Sequence, residues 1–418
     1  MESFADAGLG ARTLAALERQ SIEVPAPVQA MAIPALLDGR DVVIEAPTGS
    51  GKTLAFLPPM LERIGTSGPG PRGLVVTPTR ELAVQVERVL ESLDHRLSVA
   101  LLYGGIGYAS QTLALKAGVD VVIGTPGRIL DMVGRKLLSL SRVEYLVLDE
   151  ADEMLDIGFA PDVERILGLT YQPQTVLASA TMPDWVTKMI ERHLHDPLRV
   201  KVEREEDDDL LEHGLLRVER GAKVRTLAAL LRQLDGSAIV FGRTKEGVRA
   251  LNRELRRMGI GSVELQGDLA QVARDRTMAS FRERRVNVLV ATNVAARGLD
   301  ISHVDLVVNF ELPDSPDWLI HRVGRTARMG RRGWAMTMLS AEDHLRWRRL
   351  RRQGAPELPE LDVRHLLDEG GWRYVARRSD AEPAAPARPD ARDGRAVRSG
   401  RRRSRGRGRS KPPATATA

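Results

Sequence analysis

Ten short runs of β-branched and aliphatic residues punctuate the chain up to Leu339, in two sets of five. The first set is Asp41–Glu45, Gly73–Thr77, Asp120–Gly124, Tyr145–Asp149 and Gln174–Ser179. The second is Ser237–Phe241, Ser262–Leu265, Val286–Ala291, Val304–Asn309 and Gly333–Leu339. Continuous apolar runs of this length suit strands covered on both faces, as in a parallel sheet. The segments between them carry helical periodicity; after Arg80, for example, Leu82, Val86, Leu90 and Leu93 fall on one face. Strand, helix, strand at this spacing predicts βαβ units, hence an α/β chain with two tandem domains built on parallel sheets. Residues 203–209 (EREEDDD) interrupt the pattern with acid and no apolar face, which predicts a linker over 203–211. The domains expected are therefore 1–202 and 212–355, the sheet pattern ending after about Leu350.

The run 41–45 leads directly into Ala46-Pro47-Thr48-Gly49-Ser50-Gly51-Lys52-Thr53. A strand, a glycine-rich loop and Gly-Lys-Thr opening a helix form the arrangement of a phosphate-binding P-loop. Glycines let backbone N–H groups close around phosphate, and the helix N-terminus adds positive potential. Lys52 is then placed to reach the β- and γ-phosphates, and Thr53 to ligate Mg²⁺. Ala46 stands where the strict pattern has glycine. The run 145–149 ends in Asp149-Glu150-Ala151-Asp152. Alone, such a tetrad reads as a solvated turn. At the carboxyl end of a buried strand beside a P-loop, it is where Mg²⁺ is held, by Asp149, and where Glu150 orients or deprotonates the attacking water.

With these residues in place, the chain resembles the DEAD-box RNA helicases of superfamily 2, from Phe4 to Leu339. Thr48–Thr53 and Asp149–Asp152 match residue for residue, and the further motifs follow in the family's order. The resemblance implies two RecA-like domains, ATP and Mg²⁺ as cofactors, and RNA held largely without regard to sequence. It gives Ser179, Thr181, Asp152 and His321 to the coupling of ATP and RNA. It gives Pro78, Thr79, Arg80, Gly105, Thr125 and Arg128 to the RNA backbone in the first domain. In the second domain it gives Gly267, Asp268 and Thr292 to RNA, with Gln271 and Arg274 fitting the same motif. Gly298 and Asp300 fall at the closed interface, Asp300 on the ribose. In His321–Arg328, the resemblance makes Arg325 and Arg328 arginine fingers on the γ-phosphate. The three-residue spacing of Arg322, Arg325 and Arg328 predicts that they lie along one side of a helix. Gln29 is implied to read adenine, its amide carrying both donor and acceptor, and Phe4 to cover the base. The chain departs from the pattern at Ser21, Ala26, Gln266, Asn293 and Ala327, which stand for Gly, Thr, His, Asp and Gly.

Composition narrows the rest. With no cysteine, a disulfide scaffold, a thiolate zinc site and a catalytic thiol are excluded. No apolar run approaches ~18 residues and no signal peptide is legible, so a cytoplasmic protein without a membrane span is expected. Six Phe, five Trp and five Tyr are few for base stacking, which favours grip on the backbone. Residues 376–418 hold 12 Arg, 1 Lys and 4 acids, so the chain's net charge of +6 leaves −3 on residues 1–375. The expectation is a C-terminal extension over 356–375, then a disordered Arg-rich tail that anchors RNA by releasing counterions. His193 and His195 read as surface histidines rather than metal ligands, and Leu345–Arg352 as a basic helix flanking RNA. The function expected is an RNA-dependent ATPase that acts as a monomer and opens short duplexes when its domains close. Two alternatives stay open here: a DNA-directed ATPase or translocase, and an RNA-annealing chaperone acting through the tail.

Overall fold

The strand-forming runs become the centres of two seven-stranded sheets in the computed structural model, which describes residues 3–64, 70–202, 210–219, 221–296, 304–327 and 332–361. The first sheet comprises β1 (Val42–Glu45), β2 (Gly73–Val76), β3 (Val99–Leu102), β4 (Val121–Gly124), β5 (Tyr145–Asp149), β6 (Gln174–Ser179) and β7 (Leu198–Lys201). The second comprises β8 (Leu211–Arg217), β9 (Ala238–Gly242), β10 (Ser262–Leu265), β11 (Val288–Thr292), β12 (Leu306–Asn309), β13 (Gly333–Leu339) and β14 (Glu360–Leu361). Every pairing is parallel. The orders are β3-β4-β2-β5-β6-β1-β7 and β10-β11-β9-β12-β13-β8-β14.

Alternation along each strand explains the two-sided burial. In β1, Val42 and Ile44 enter one apolar cluster with Phe56 and Ile64 of the following helix, while Val43 enters the cluster on the other face with Leu74 and Met154. Burial of such side chains contributes ~1.5–3 kcal/mol each, and this is what holds helices on both faces. Each sheet therefore presents the carboxyl ends of its strands as one edge, where ligand loops of open α/β sheets collect.

Four strands lie outside the sequence expectation. β3 and β7 are edge or near-edge strands whose burial is partial. β8 reads LEHGLLR, and its Glu, His and Gly hide an apolar strand. Its first residue, Leu211, is also the last residue of the expected linker, of which 203–209 lies outside the described residues. The sheet does not end near Leu350: β14 pairs with β8, and Leu361 packs over Gly214, where a Cβ would collide with it. Residues 362–418, including the expected tail, lie outside the described residues. The basic helix is present as His344–Arg352, seated through Leu350 on Leu215, Leu312 and Leu339.

Candidate functional site

β1 is clamped between β6 and β7, so the turn after Glu45 leaves the sheet at a fixed place. Gly49 and Gly51 take left-handed φ values of 90° and 93° to close the loop. The helix Lys52–Ile64 then begins at the P-loop lysine. Lys52 is buried, and its Nζ donates to the Ala46 carbonyl at 2.7 Å and the Pro47 carbonyl at 3.0 Å. Ser50 Oγ is buried in the loop with no hydrogen-bond partner. Gln29 braces the loop from outside. Its Oε1 accepts from the Ala26 N–H at 2.8 Å, and its Nε2 donates to the Gly51 carbonyl at 3.0 Å. Gln29 thus satisfies the N–H of the N-cap residue Ala26, while Ala26, lacking a hydroxyl, makes no side-chain cap in return. Phe4, expected over adenine, is 3% exposed and packs in the first domain's core.

β5 ends in the buried Asp149, whose Oδ1 accepts from the Glu150 N–H at 3.1 Å. Burial first, then the nearby Glu150 carboxylate, pushes the Asp149 carboxyl up to about 7, against the opposing pull of Lys52. Glu150 sits at φ 51°, and its Oε2 is buried without a hydrogen-bond partner. Two crowded acids beside a lysine, one with an orphan oxygen, are a donor set that suits a hard divalent cation. The chemistry of Asp149 and Glu150 fits Mg²⁺ on these grounds.

Asp152 ties the first domain's next strand to this turn. Its Oδ2 accepts from the Thr181 N–H at 2.9 Å and Oγ1 at 2.8 Å. Its own N–H donates to Ser179 Oγ at 3.2 Å, and Ser179 Oγ donates to the Thr181 carbonyl at 2.7 Å. From the second domain, His321 Nε2 stands 3.8 Å from Asp152 Oδ2. All four residues expected to couple ATP and RNA therefore meet. Arg325 Nη2 stands 3.9 Å from Glu153 Oε1, both side chains buried. Glu153 was not singled out in the sequence; only its partner's position, across the domain interface, marks it. A cavity of about 270 Å³ between the domains is lined by Thr48, Thr181 and His321 among others.

The arginine triplet is not a helical stripe. The helix Pro316–Val323 ends at Gly324, so Arg325 lies in the turn beyond it. Arg322 is instead 1% exposed inside the second domain, donating through Nε to Asn293 Oδ1 at 2.6 Å and through Nη1 to Asn309 Oδ1 at 3.0 Å. Burial lowers the Arg322 guanidinium to about 9. Arg328, Gly298 and Asp300 lie outside the described residues.

Arg80 and Arg128, both expected to hold RNA, reach the turn at residues 105–106. Arg80 lies against Gly105, where its guanidinium occupies the space a Cβ would take and the backbone sits at φ 81°. Arg128 Nη2 donates to the Ile106 carbonyl at 3.3 Å. Thr79 is buried and caps the helix Arg80–Leu93, accepting from the Leu82 N–H at 3.2 Å. Pro78, Thr125 and Thr292 are buried at strand or helix ends. In the second domain, Asp268 is paired with Lys245, which lies beside Gly267. Gln271 and Arg274, expected to face RNA, are engaged by the first domain. Gln271 accepts from Arg80, and Arg274 Nη2 donates to Glu81 Oε1 at 2.6 Å in a nearly buried pair. His193 pairs with Glu164 at 2.8 Å. Among the described residues no helix is long and apolar enough to cross a membrane.

A DEAD/DEAH box helicase family model matches residues 26–189, and a helicase conserved C-terminal domain model matches 222–330. The chain is 42% identical over 348 residues to the ATP-dependent RNA helicase CshA of Listeria monocytogenes, covering 82% of this chain and 67% of that one. It is 41% identical to the DEAD-box ATP-dependent RNA helicase CshA of Bacillus subtilis over 371 residues, 86% of this chain and 75% of that one. Its structure resembles S. cerevisiae Dbp5 bound to RNA and ADP BeF3, with a TM-score of 0.80 at 29% identity over 91% of this chain and 99% of that one. A DEAD box protein from Methanococcus jannaschii is similar at a TM-score of 0.52 and 34% identity, over 87% of this chain and 99% of that one. A P-loop, an Asp-Glu-Ala-Asp turn and a second RecA-like domain that brings an arginine to that turn, all within these matches, place the chain in the DEAD-box family of ATP-dependent RNA helicases.

Proposed function

We propose that this protein hydrolyses ATP when RNA lies across both domains, and that closure of the domains locally opens short duplexes. The working unit is residues 1–202 and 212–355, joined through 203–211, with 356–375 as an extension and the basic segment 376–418 as an accessory RNA anchor. It acts as a monomer in the cytoplasm. The observation that carries the reading is the approach of Arg325, from the second domain, to Glu153, the residue directly after the Asp149–Asp152 tetrad of the first. Neither domain alone contains both halves of that arrangement.

In this reading the P-loop amides and Lys52 bind the phosphates, and Gln29 stands at the adenine end. Asp149 and Thr53 would hold Mg²⁺, which when bound would neutralise charge at the phosphate oxygens. Glu150 takes a proton from the water whose oxygen bonds the γ-phosphorus, while the bond from that phosphorus to the bridging oxygen breaks and the oxygen leaves with the electron pair as part of ADP. Arg325 and Arg328 stabilise the charge that spreads over the transferring group. Asp152, Thr181 and His321 report that chemistry to the domain junction. Release of phosphate removes what Arg325 was holding, the domains part, and RNA leaves.

The test is steady-state ATP hydrolysis without nucleic acid, with single-stranded RNA and with DNA of the same sequence, beside Glu150→Gln. Stimulation by RNA alone, lowered ~10²–10⁴-fold in Glu150→Gln with RNA binding kept, is the expected result. Equal stimulation by DNA would favour a DNA-directed translocase. Strand annealing by Glu150→Gln, with no hydrolysis in the wild type, would move the activity to the basic segment.

A further inference from the structure

Beyond the motif residues, the RNA side of the first domain carries a second arginine that is held in place by an aromatic ring. Tyr108 follows the Gly104-Gly105 turn and is 40% exposed. Two guanidinium groups share its ring: Arg128 lies 4.4 Å from the centroid and Arg135 lies 4.1 Å from it. Asp131 sets both. Its carboxylate accepts from Arg135 Nε at 2.9 Å and lies 3.9 Å from Arg128 Nε. Residues 128 and 131 project from one side of the helix Pro126–Gly134, and Arg135 caps its end. The cluster keeps a net positive charge, since one carboxylate faces two guanidinium groups. It is also short of an acceptor: Arg128 is 9% exposed, yet its Nη1 is buried without a hydrogen-bond partner. Arg128 reaches Ile106, and Ile106 adjoins Gly105, against which Arg80 lies. Arg80, Arg128 and Arg135 are thus all tied to the segment 105–108, through Gly105, Ile106 and Tyr108.

We propose that Tyr108 and Arg135 extend the RNA-binding face by one phosphate: Tyr108 is a positioning residue that holds both guanidinium groups, and Arg135 takes the phosphate next to the one at Arg128. This rests on the reading of Arg128 as an RNA contact. An exposed arginine normally loses much side-chain freedom on binding a phosphate, and a stacked, ion-paired one has lost it already. Phosphate is the chemistry that fits, because guanidinium forks match its oxygens and the ring offers no free polar group in the way.

RNA affinity of the full chain, measured with a single-stranded oligonucleotide over a range of salt concentrations, tests this. Arg135→Gln should weaken binding ~3- to 10-fold and lower the salt slope by about one. Tyr108→Ala should do nearly the same, Tyr108→Phe should restore wild-type binding, and ATP hydrolysis without RNA should be unchanged in all three. Arg128→Ala is run alongside. If Arg128→Ala lowers affinity and slope while Arg135→Gln and Tyr108→Ala leave both untouched, the extension is wrong. If Arg128→Ala itself has no effect, the reading of this face as the RNA side fails first.

Discussion

The turn after β1 and the turn after β8 occupy the same place in two sheets of identical strand order, and each opens a helix on a lysine. Their lysines have opposite surroundings. Lys52 donates only to carbonyls of its own loop, beside a buried acid turn. Lys223 donates to the Phe310 carbonyl at 3.1 Å and is paired with Asp343 at 2.6 Å. The Asp343 carboxyl, though burial pulls it up, is held below its usual range by Lys223 and Ser340. In the second domain a carboxylate of the chain itself sits on the lysine that, in the first, is left for phosphate. One topology thus serves twice, once to carry the glycine-rich loop with Lys52 and once as the frame that brings Arg325 to Glu153. The lesson is that strand order places the loops, while a few side chains decide what each loop can hold.

The comparison can be broken at its sharpest point first. Arg325→Ala should reduce RNA-stimulated ATP turnover ~10³-fold or more while leaving nucleotide binding to the first domain in place. Arg325→Lys should rescue little, because a point charge does not reproduce the guanidinium fork. The two lysines come next. Lys52→Ala should lower turnover by ~10²–10³-fold at nearly unchanged stability, whereas Lys223→Ala should leave the chemistry intact and cost about 1–3 kcal/mol by stranding Asp343. Equal kinetic loss in both would end the claim that the two turns differ in role.

Acid separates the domains more gently. β8 carries a largely covered His213, hydrogen-bonded to Thr337 at 3.0 Å, whereas β1 has no histidine. Burial holds that imidazole down to about 4 from its ordinary 6.5. Above pH 6.5 its contribution is complete; as pH falls toward 4 the unfolded chain takes up a proton that the fold refuses, at about 1.4 kcal/mol per pH unit. Hydrogen exchange at pH 7.5 and 5 should therefore show the second domain loosening in acid, and His213→Gln should remove most of that loosening. The smallest effect expected is at the sheet edge: Gly214→Ala, which pushes Leu361 off β8, should lower the second domain's stability by about 1–2 kcal/mol with no change in turnover.

Much of this was legible in the sequence because it is local. A β-branched run, a glycine-rich loop and an acid at a strand end are each spelled in consecutive residues, and nine of the ten strands the runs predicted are buried along their whole length or nearly so. The polar spelling of β8 and the two-residue length of β14 defeated pattern reading. So did the helix end at Gly324, which removed Arg325 from the stripe its spacing suggested. Glu153 and the Arg274–Glu81 pair were out of reach for another reason: their partners stand about 170 to 190 residues away, and no period connects them.

The strand order has one more consequence, in time rather than space. β1 lies between β6 and β7, with Val42 beside Val176 and Leu198, and β8 lies between β13 and β14. On a ribosome adding ~5–20 residues per second, roughly 130 further residues must be made before the P-loop strand meets its first neighbour, a wait of roughly 7–25 s. For that interval the nascent chain exposes an aliphatic strand with both edges open, the form of chain most prone to pair with the wrong neighbour. The same wait recurs for the second domain. The part of this enzyme that nucleotide will grip is the first strand synthesised and among the last to be secured, so chaperone demand during translation should fall most heavily on residues 42–45 and 211–217.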